Sequence, residues 1–502
     1  MKRNKFSLSN YKLLSCNQGD IVPIGLTEVL PGDTMQQATS ALIRVSPQLA
    51  PVMHPVHAKI HHWFVPHRLV WQDWENFITG GPDGNNASVF PTIDLSGAAV
   101  GSLADYMGVP TGLAAGKGVV SALPFRAYSL IFNEYYRDQD LQTALTISKA
   151  SGTDTTTNTT LQKSCWDKDY FTSARPWTQK GAEVTLPLGT SAPVLGIGKA
   201  NQTYGSGSQN VYETGGTAVS NFASSSNVVG TNVNETIYIE EDPNNTGFPF
   251  IRADLQNATA ATINDLREAF ALQRYKEARA KYGSRYVEYL RYLGIKSSDA
   301  RLQRPEYLGG GKQTIQFSEV LQTSNTTPGD DTDGVGNLKG HGIGALRSNR
   351  YRRYFEEHGY VISFLIVKPI TVYNDGIFRH FNRRTKEDFW QKELQAIGQQ
   401  EVLNKEVYAA HTTPNGVFGY QDRYDEYRRQ ESTIAGEFRT TLDFWHMARK
   451  FNSDPALNAT FVAANPTDRI YAVPSAHQLY VMAHHSIQAR RLVAKEGKSF
   501  IY

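Results

Sequence analysis

Apolar positions in the first seventy residues fall in short runs broken by proline and glycine. In "GDIVPIGLTEVLPGDTMQQATSALIRVSP", extended runs flank the turn signal Pro31-Gly32-Asp33, which predicts strands on either side. "VHAKIHHWFV", between Pro55 and Pro66, is rich in the branched and aromatic side chains that favour a strand. The two-residue period then puts Val56, Ala58, Ile60, His62 and Phe64 on one face. His57, Lys59, His61 and Trp63 take the other, a basic and aromatic one.

From 151 to about 245 the pattern fades into Ser, Thr, Asn and Gly, as in "SGTDTTTNTT" and "YGSGSQN", with brief strand-like pieces such as "ETIYIE". Residues 150–250 therefore read as a loop-rich, ordered but peripheral insertion. A helical insertion follows at 258–294. In "ATINDLREAFALQRYKEARAKYG" the residues Ile263, Leu266, Phe270 and Leu272 lie near one side, with Gly283 as a stop. "SRYVEYLRYLG" sets Tyr286, Tyr289, Leu290 and Leu293 at helical spacing before Gly294. Beyond a second loop-rich stretch, "GYVISFLIVKPITVY" predicts a buried strand, and "DRIYAVP" and "HQLYVMAHHSIQARR" predict two more. Strands at both ends with loops and helices between them suggest one mainly β sandwich spanning 1–502, assembled from distant segments.

Five of the thirteen histidines, His54, His57, His61, His62 and His67, crowd into fourteen residues and invite a metal or hydrolase reading. On a strand, however, His57 and His61 stand roughly 13 Å apart, too far for two imidazoles to share a zinc. Lys59 between them also repels a cation. Architecture is the expectation, with no metal ligand and no catalytic residue assigned. "EYLGGGKQT" departs from a phosphate loop at Glu306 and Gln313, and neither HExxH nor GxSxG occurs. "QDRYDEYRRQE" reads as charged surface. "RSNRYRRYFEEHG" could grip phosphates or form salt bridges.

Charge nearly balances, 51 basic residues against 48 acidic, so the total implies no polyanion partner. Its distribution is less even. Residues 1–19 hold Lys2, Arg3, Lys5 and Lys12 without an acid, and the last thirteen hold Arg490, Arg491, Lys495 and Lys498 against Glu496. Lys2, Arg3, Lys5, Arg490 and Arg491 are the candidate nucleic-acid contacts. Two cysteines make no disulfide framework, and no apolar run is long enough to span a membrane.

Several segments resemble the major capsid protein of the Microviridae, in their gokushovirus-like branch. They include "VPIGLTEVLPGDT", "HHWFVPHRLVWQDWENFITG", "DYFTSARPWTQKGAEVTLPLG" and "DARLQRPEYLGGGKQTIQFSEVLQTS", with "VFGYQDRYDEYRR" and "LDFWHMARKF" toward the C-terminus, all in the family's order. The resemblance implies a viral jelly roll with large insertions and no cofactor. It implies pentamers assembling into a small icosahedral shell around circular single-stranded DNA, inside a bacterial host. Minor pilot, scaffolding or DNA-condensing proteins are implied as partners, and the 199–245 insertion as the part that meets a host receptor. The bulky residues Trp63, Phe64, Trp71 and Trp74 would pack the barrel and anchor neighbours, each stabilising by roughly 2–3 kcal/mol if buried. The C-terminal "QARRLVAKEGKSFIY" departs from the family's Pro- and Met-containing ending. Two other readings compete: a receptor- or glycan-binding jelly roll, and a hydrolase using His57, His61 and His62.

Overall fold

The structure, a computed structural model, describes residues 3–184, 263–282, 285–295, 303–321 and 338–496, with short pieces between 194 and 253. The chain divides into two compact units, Met1–Thr178 with Ser284–Tyr502, and Gln179–Gly283. Lys2 and most of 199–245 lie outside the described residues, as does Gly283.

The first unit is built on one antiparallel sheet of ten strands. In chain order these are β1 (Asn4–Ser7), β2 (Asn10–Cys16), β3 (Val22–Val29), β4 (Thr34–Val45), β5 (Val56–Pro66), β6 (Glu306–Leu321), β7 (Leu338–Arg347), β8 (Tyr351–Tyr354), β9 (Gly359–Pro369) and β10 (Leu479–Arg491). The order across the sheet is β1-β10-β4-β7-β6-β5-β9-β3, with β2 also on β10 and β8 on β4. The sheet curls into a jelly roll, so that strands from its two ends meet. Lys12 Nζ of β2 donates to the Pro23 carbonyl of β3 at 3.1 Å, and His485 Nε2 of β10 lies 2.9 Å from the Ile24 carbonyl.

Two apolar layers explain the strand patterns. Inside the curl, Ile24, Ile43, Val56, Ala58, Ile60, Leu365, Val367 and Val481 form one core. Outside β5 and β9, a helix α1 (Leu123–Ile131) and the π turn Phe132–Tyr136 cover Trp63, Ile362, Phe364 and Ile366. Strand β9 is thus apolar on both sides because both sides are buried, as its continuous run predicted. The glycine triplet in "EYLGGGKQT" serves strand packing: a Cβ on Gly310 would lie 2.2 Å from the Ile60 carbonyl oxygen, and one on Gly311 2.6 Å from that of Arg347.

Two expectations fail. "DRIYAVP" is no strand: Tyr471 N–H bonds back to the Asp468 carbonyl in a turn, and the segment joins the ladders only through a Gln48–Tyr471 bridge. Residues 151–178 are not peripheral loop. They pack into the first unit and bury Asp154, Trp166, Tyr170 and Phe171. Polar groups of the segment bond to one another locally, as where Thr157 N–H and Oγ1–H both donate to the buried Asp154 carboxylate.

In the second unit, α2 spans Ile263–Tyr282 as predicted; in the first, α3 spans Tyr286–Tyr292 and stops at Gly294, whose φ is 79°. Ile263, Phe270 and Leu272 on α2 remain exposed, 69%, 62% and 43%.

Candidate functional site

The histidine strand is formed as expected, with Val56, Ala58, Ile60 and His62 buried and His57, Lys59 and His61 on the other face. The second face is not an open basic and aromatic surface, however. Tyr136 roofs it: Trp63 Nε1–H donates to the Tyr136 hydroxyl at 3.0 Å, and that hydroxyl lies 2.7 Å from His61 Nδ1. Asp167 bridges Lys59 and Lys368 at 3.1 and 2.9 Å, and this pairing holds its carboxyl down to about 2 against the effect of burial.

Each histidine is a packed, neutral group. His62, fully buried, sits between the hydroxyls of Ser363 and Ser348 at 2.8 and 3.0 Å. Burial lowers its pKa to about 3, and those of His61 and His67 to about 4. His54 bonds to the Ile370 carbonyl at 2.7 Å, and His57 reaches Thr314 Oγ1 at 3.1 Å. Among the described residues no three His, Cys, Asp or Glu side chains are grouped to hold a metal ion.

One buried charge pair escaped sequence reading. Arg126 Nε donates to Asp154 Oδ2 at 2.8 Å with both side chains fully buried. The guanidinium also donates to the carbonyls of Val70 and Ala150 at 3.1 and 3.0 Å. Asp154 accepts from Thr156 and Thr157. The pair ties the Ser/Thr-rich segment to α1 as a clamp, with both carboxylate oxygens and all three guanidinium nitrogens engaged. The cleft of about 510 Å³ near Arg379 and Arg383 is likewise lined with paired charges, Arg379 with Glu406 at 3.0 Å and Arg383 with Glu426 at 3.3 Å.

The four aromatic candidates separate. Trp71 is fully buried, its Nε1–H on Ser151 Oγ at 2.8 Å, and Trp63 is buried in the same outer layer. Phe64 packs on Phe355 at one end of the barrel, centroids 4.6 Å apart. Trp74 is half-buried, edge-on to His67. All four make contacts within the chain.

The basic termini come together. Strand β1 lies along β10, so that Lys5 faces Arg490 and Asn4 faces Arg491. Lys5 and Arg490 are exposed. Arg491 instead engages the buried Asp33 at 3.0 Å and the Glu28 carbonyl at 2.5 Å, a structural use of its charge. Arg3 lies over the Tyr354 ring at 4.9 Å. In "RSNRYRRYFEEHG", Arg353 pairs with Glu306 and Glu357 with Arg68, while Arg350 and Arg352 stay exposed.

Residues 1–499 match the family described as capsid protein (F protein). The chain belongs to this capsid protein family. Curated relatives agree over almost the full length. Capsid protein VP1 of Bdellovibrio phage phiMH2K is 38% identical over 492 residues, 94% of this chain and 90% of that one. Capsid protein VP1 of Chlamydia phage 1 is 34% identical, over 94% and 91%. That of Spiroplasma virus 4 is 31% identical, over 92% and 87%. This capsid protein is a structural protein of the virion and not an enzyme. Its packed histidines and paired buried charges are scaffold chemistry.

Proposed function

We propose that copies of this subunit assemble through pentamers into a closed icosahedral shell around circular single-stranded DNA. Membership of the capsid family over nearly the whole chain carries the proposal. A surface in the first unit supports it. Phe381, Phe389, Trp390 and Tyr427 are 62%, 52%, 53% and 50% exposed, and Phe389 and Tyr427 both contact the Arg383 guanidinium. An aromatic cluster this open suits a surface that a neighbouring subunit covers. Multiplied over the shell, such contacts close it by many modest gains.

The insertion at 199–245 is the proposed host-contacting part, and minor virion proteins the further partners. Lys2, Arg3 and Lys5 are the arm proposed to touch the genome. Electron microscopy of the purified protein tests the shell. Wild type should form uniform small particles or pentamers that become them, and Phe389→Ser with Trp390→Ser should leave soluble, folded subunits that do not close. Monomers or trimers of wild type, unable to close even beside the other virion proteins, would favour a receptor- or glycan-binding role. Lys2, Arg3 and Lys5→Ala should give shells of lower DNA content; normal packaging would remove the arm from the mechanism.

A further inference from the structure

The jelly roll has two outer faces, and they are treated differently. The one on β5 and β9 is roofed by α1 and the π turn. The one on β1, β2, β10, β4, β7, β8 and the second half of β6 has no such roof among the described residues. Its outward positions follow from the register, since residues directly opposite share a face. Leu13 faces Met482, Met482 faces Leu42, and Leu42 faces Ala345, one row across four strands. The next row runs Ser15, Tyr480, Arg44, Ile343 and Gln316.

The charges on this face are all of one sign. Outward positions on these strands carry Lys5, Arg44, Lys339, Arg347, Arg352 and Arg490, every one exposed. They carry no Asp or Glu. In a chain with 51 bases and 48 acids, an even draw would have placed both signs there. None of the six basic side chains forms an ion pair among the described residues. The ring-bearing outward residues are interleaved with them: Tyr11 stacks on His484 with centroids 4.4 Å apart and stays 70% exposed, Tyr480 faces Arg44 across the ladder, and Tyr354 lies under Arg3.

We infer that this open sheet face is the surface on which single-stranded DNA lies, its phosphates on the arginines and its bases on the tyrosine and histidine rings. Strands with outward rings and cations offer what a single strand needs, stacking platforms along an electropositive track. The occupant is a polyanion with exposed bases; a second copy of the face would set six cations against six. The inference rests on the shell proposal, and it moves the genome contact from the two termini to a whole sheet of which Lys5 and Arg490 form one edge.

The test uses the full-length protein, unassembled and assembled. Binding of a thirty-nucleotide oligo-dT to unassembled subunit is titrated at several salt concentrations for wild type, for Arg44→Gln with Arg347→Gln, and for Lys386→Gln with Lys392→Gln, an exposed pair elsewhere. Removing two phosphate contacts should lower the log–log salt slope by about 1.4 and weaken binding roughly 25-fold at 0.1 M salt, while the control pair leaves both unchanged. Photo-cross-linking of bromodeoxyuridine-substituted oligonucleotide should map to Tyr11, Tyr480 or Tyr354, a readout that needs no variant. Equal slopes for the two pairs, or cross-links confined to other segments, would overturn the inference. So would closure lost with oligo-dT binding intact, since the face would then be a contact between subunits. Failure of wild type to form particles strikes the shell proposal instead.

Discussion

Replacing His62 by glutamine should remove one proton from the acid sensitivity of the fold. In the native subunit the His62 pKa is about 3, against about 6.5 for a solvated imidazole. A base whose pKa falls on folding binds its proton more readily in the unfolded chain. Stability therefore rises with pH between those two values and is level above 6.5. The slope is about 1.36 kcal/mol per pH unit for one group, so by pH 4.5 His62 alone costs about 2.7 kcal/mol relative to neutrality. Burial is the main cause, since the charged ring would lose its water, and the neighbouring His485 and His61 add to it. Urea unfolding of unassembled wild type and His62→Gln at pH 7.5, 6.5, 5.5 and 4.5 gives the two curves. Other titrating groups, including Asp20 and Glu406, whose pKa values burial raises, cancel in the difference. The variant should be less stable at pH 7.5, with the gap closing by about 2.7 kcal/mol at pH 4.5. Parallel curves would refute the neutral, desolvated histidine.

The Arg126–Asp154 clamp makes a second expectation. Asp154→Ala should destabilise by about 3–5 kcal/mol by stranding a buried guanidinium, and Arg126→Met with Asp154→Leu should recover most of it; a double-mutant cycle of unfolding energies checks both. Gly310→Ala should leave the protein insoluble on expression, because the added methyl meets the Ile60 carbonyl at a distance no strand pair tolerates; the soluble fraction measures it.

The strands were legible where one rule governed them. Residues 56–61 alternate because one face looks into the barrel, and 359–369 do not because both faces are covered. The histidine question was answerable from spacing alone, since a strand separates side chains that a metal would need together. What local pattern could not show was long-range cover. The face bearing His57, Lys59 and His61 reads as a basic surface until Tyr136 and Asp167, far along the chain, close over it. Asp154 looks like one more polar residue in a Ser/Thr stretch, and nothing near it in sequence announces Arg126. The open face escaped for the opposite reason: its six cations are scattered over five strands, and only the register gathers them.

Strand β10 lies between β4 and the two N-terminal strands β1 and β2, so residues near 480 complete a sheet begun near residue 4. A ribosome must therefore pass residue 491 before the edge of β4 finds its partner. Until then the subunit carries an unpaired twelve-residue edge, and its inner core lacks Leu479, Val481 and Ala483. A chain broken off before β10 therefore lacks both that edge pairing and part of the core, so the last strand of the sheet decides whether the first ones are covered.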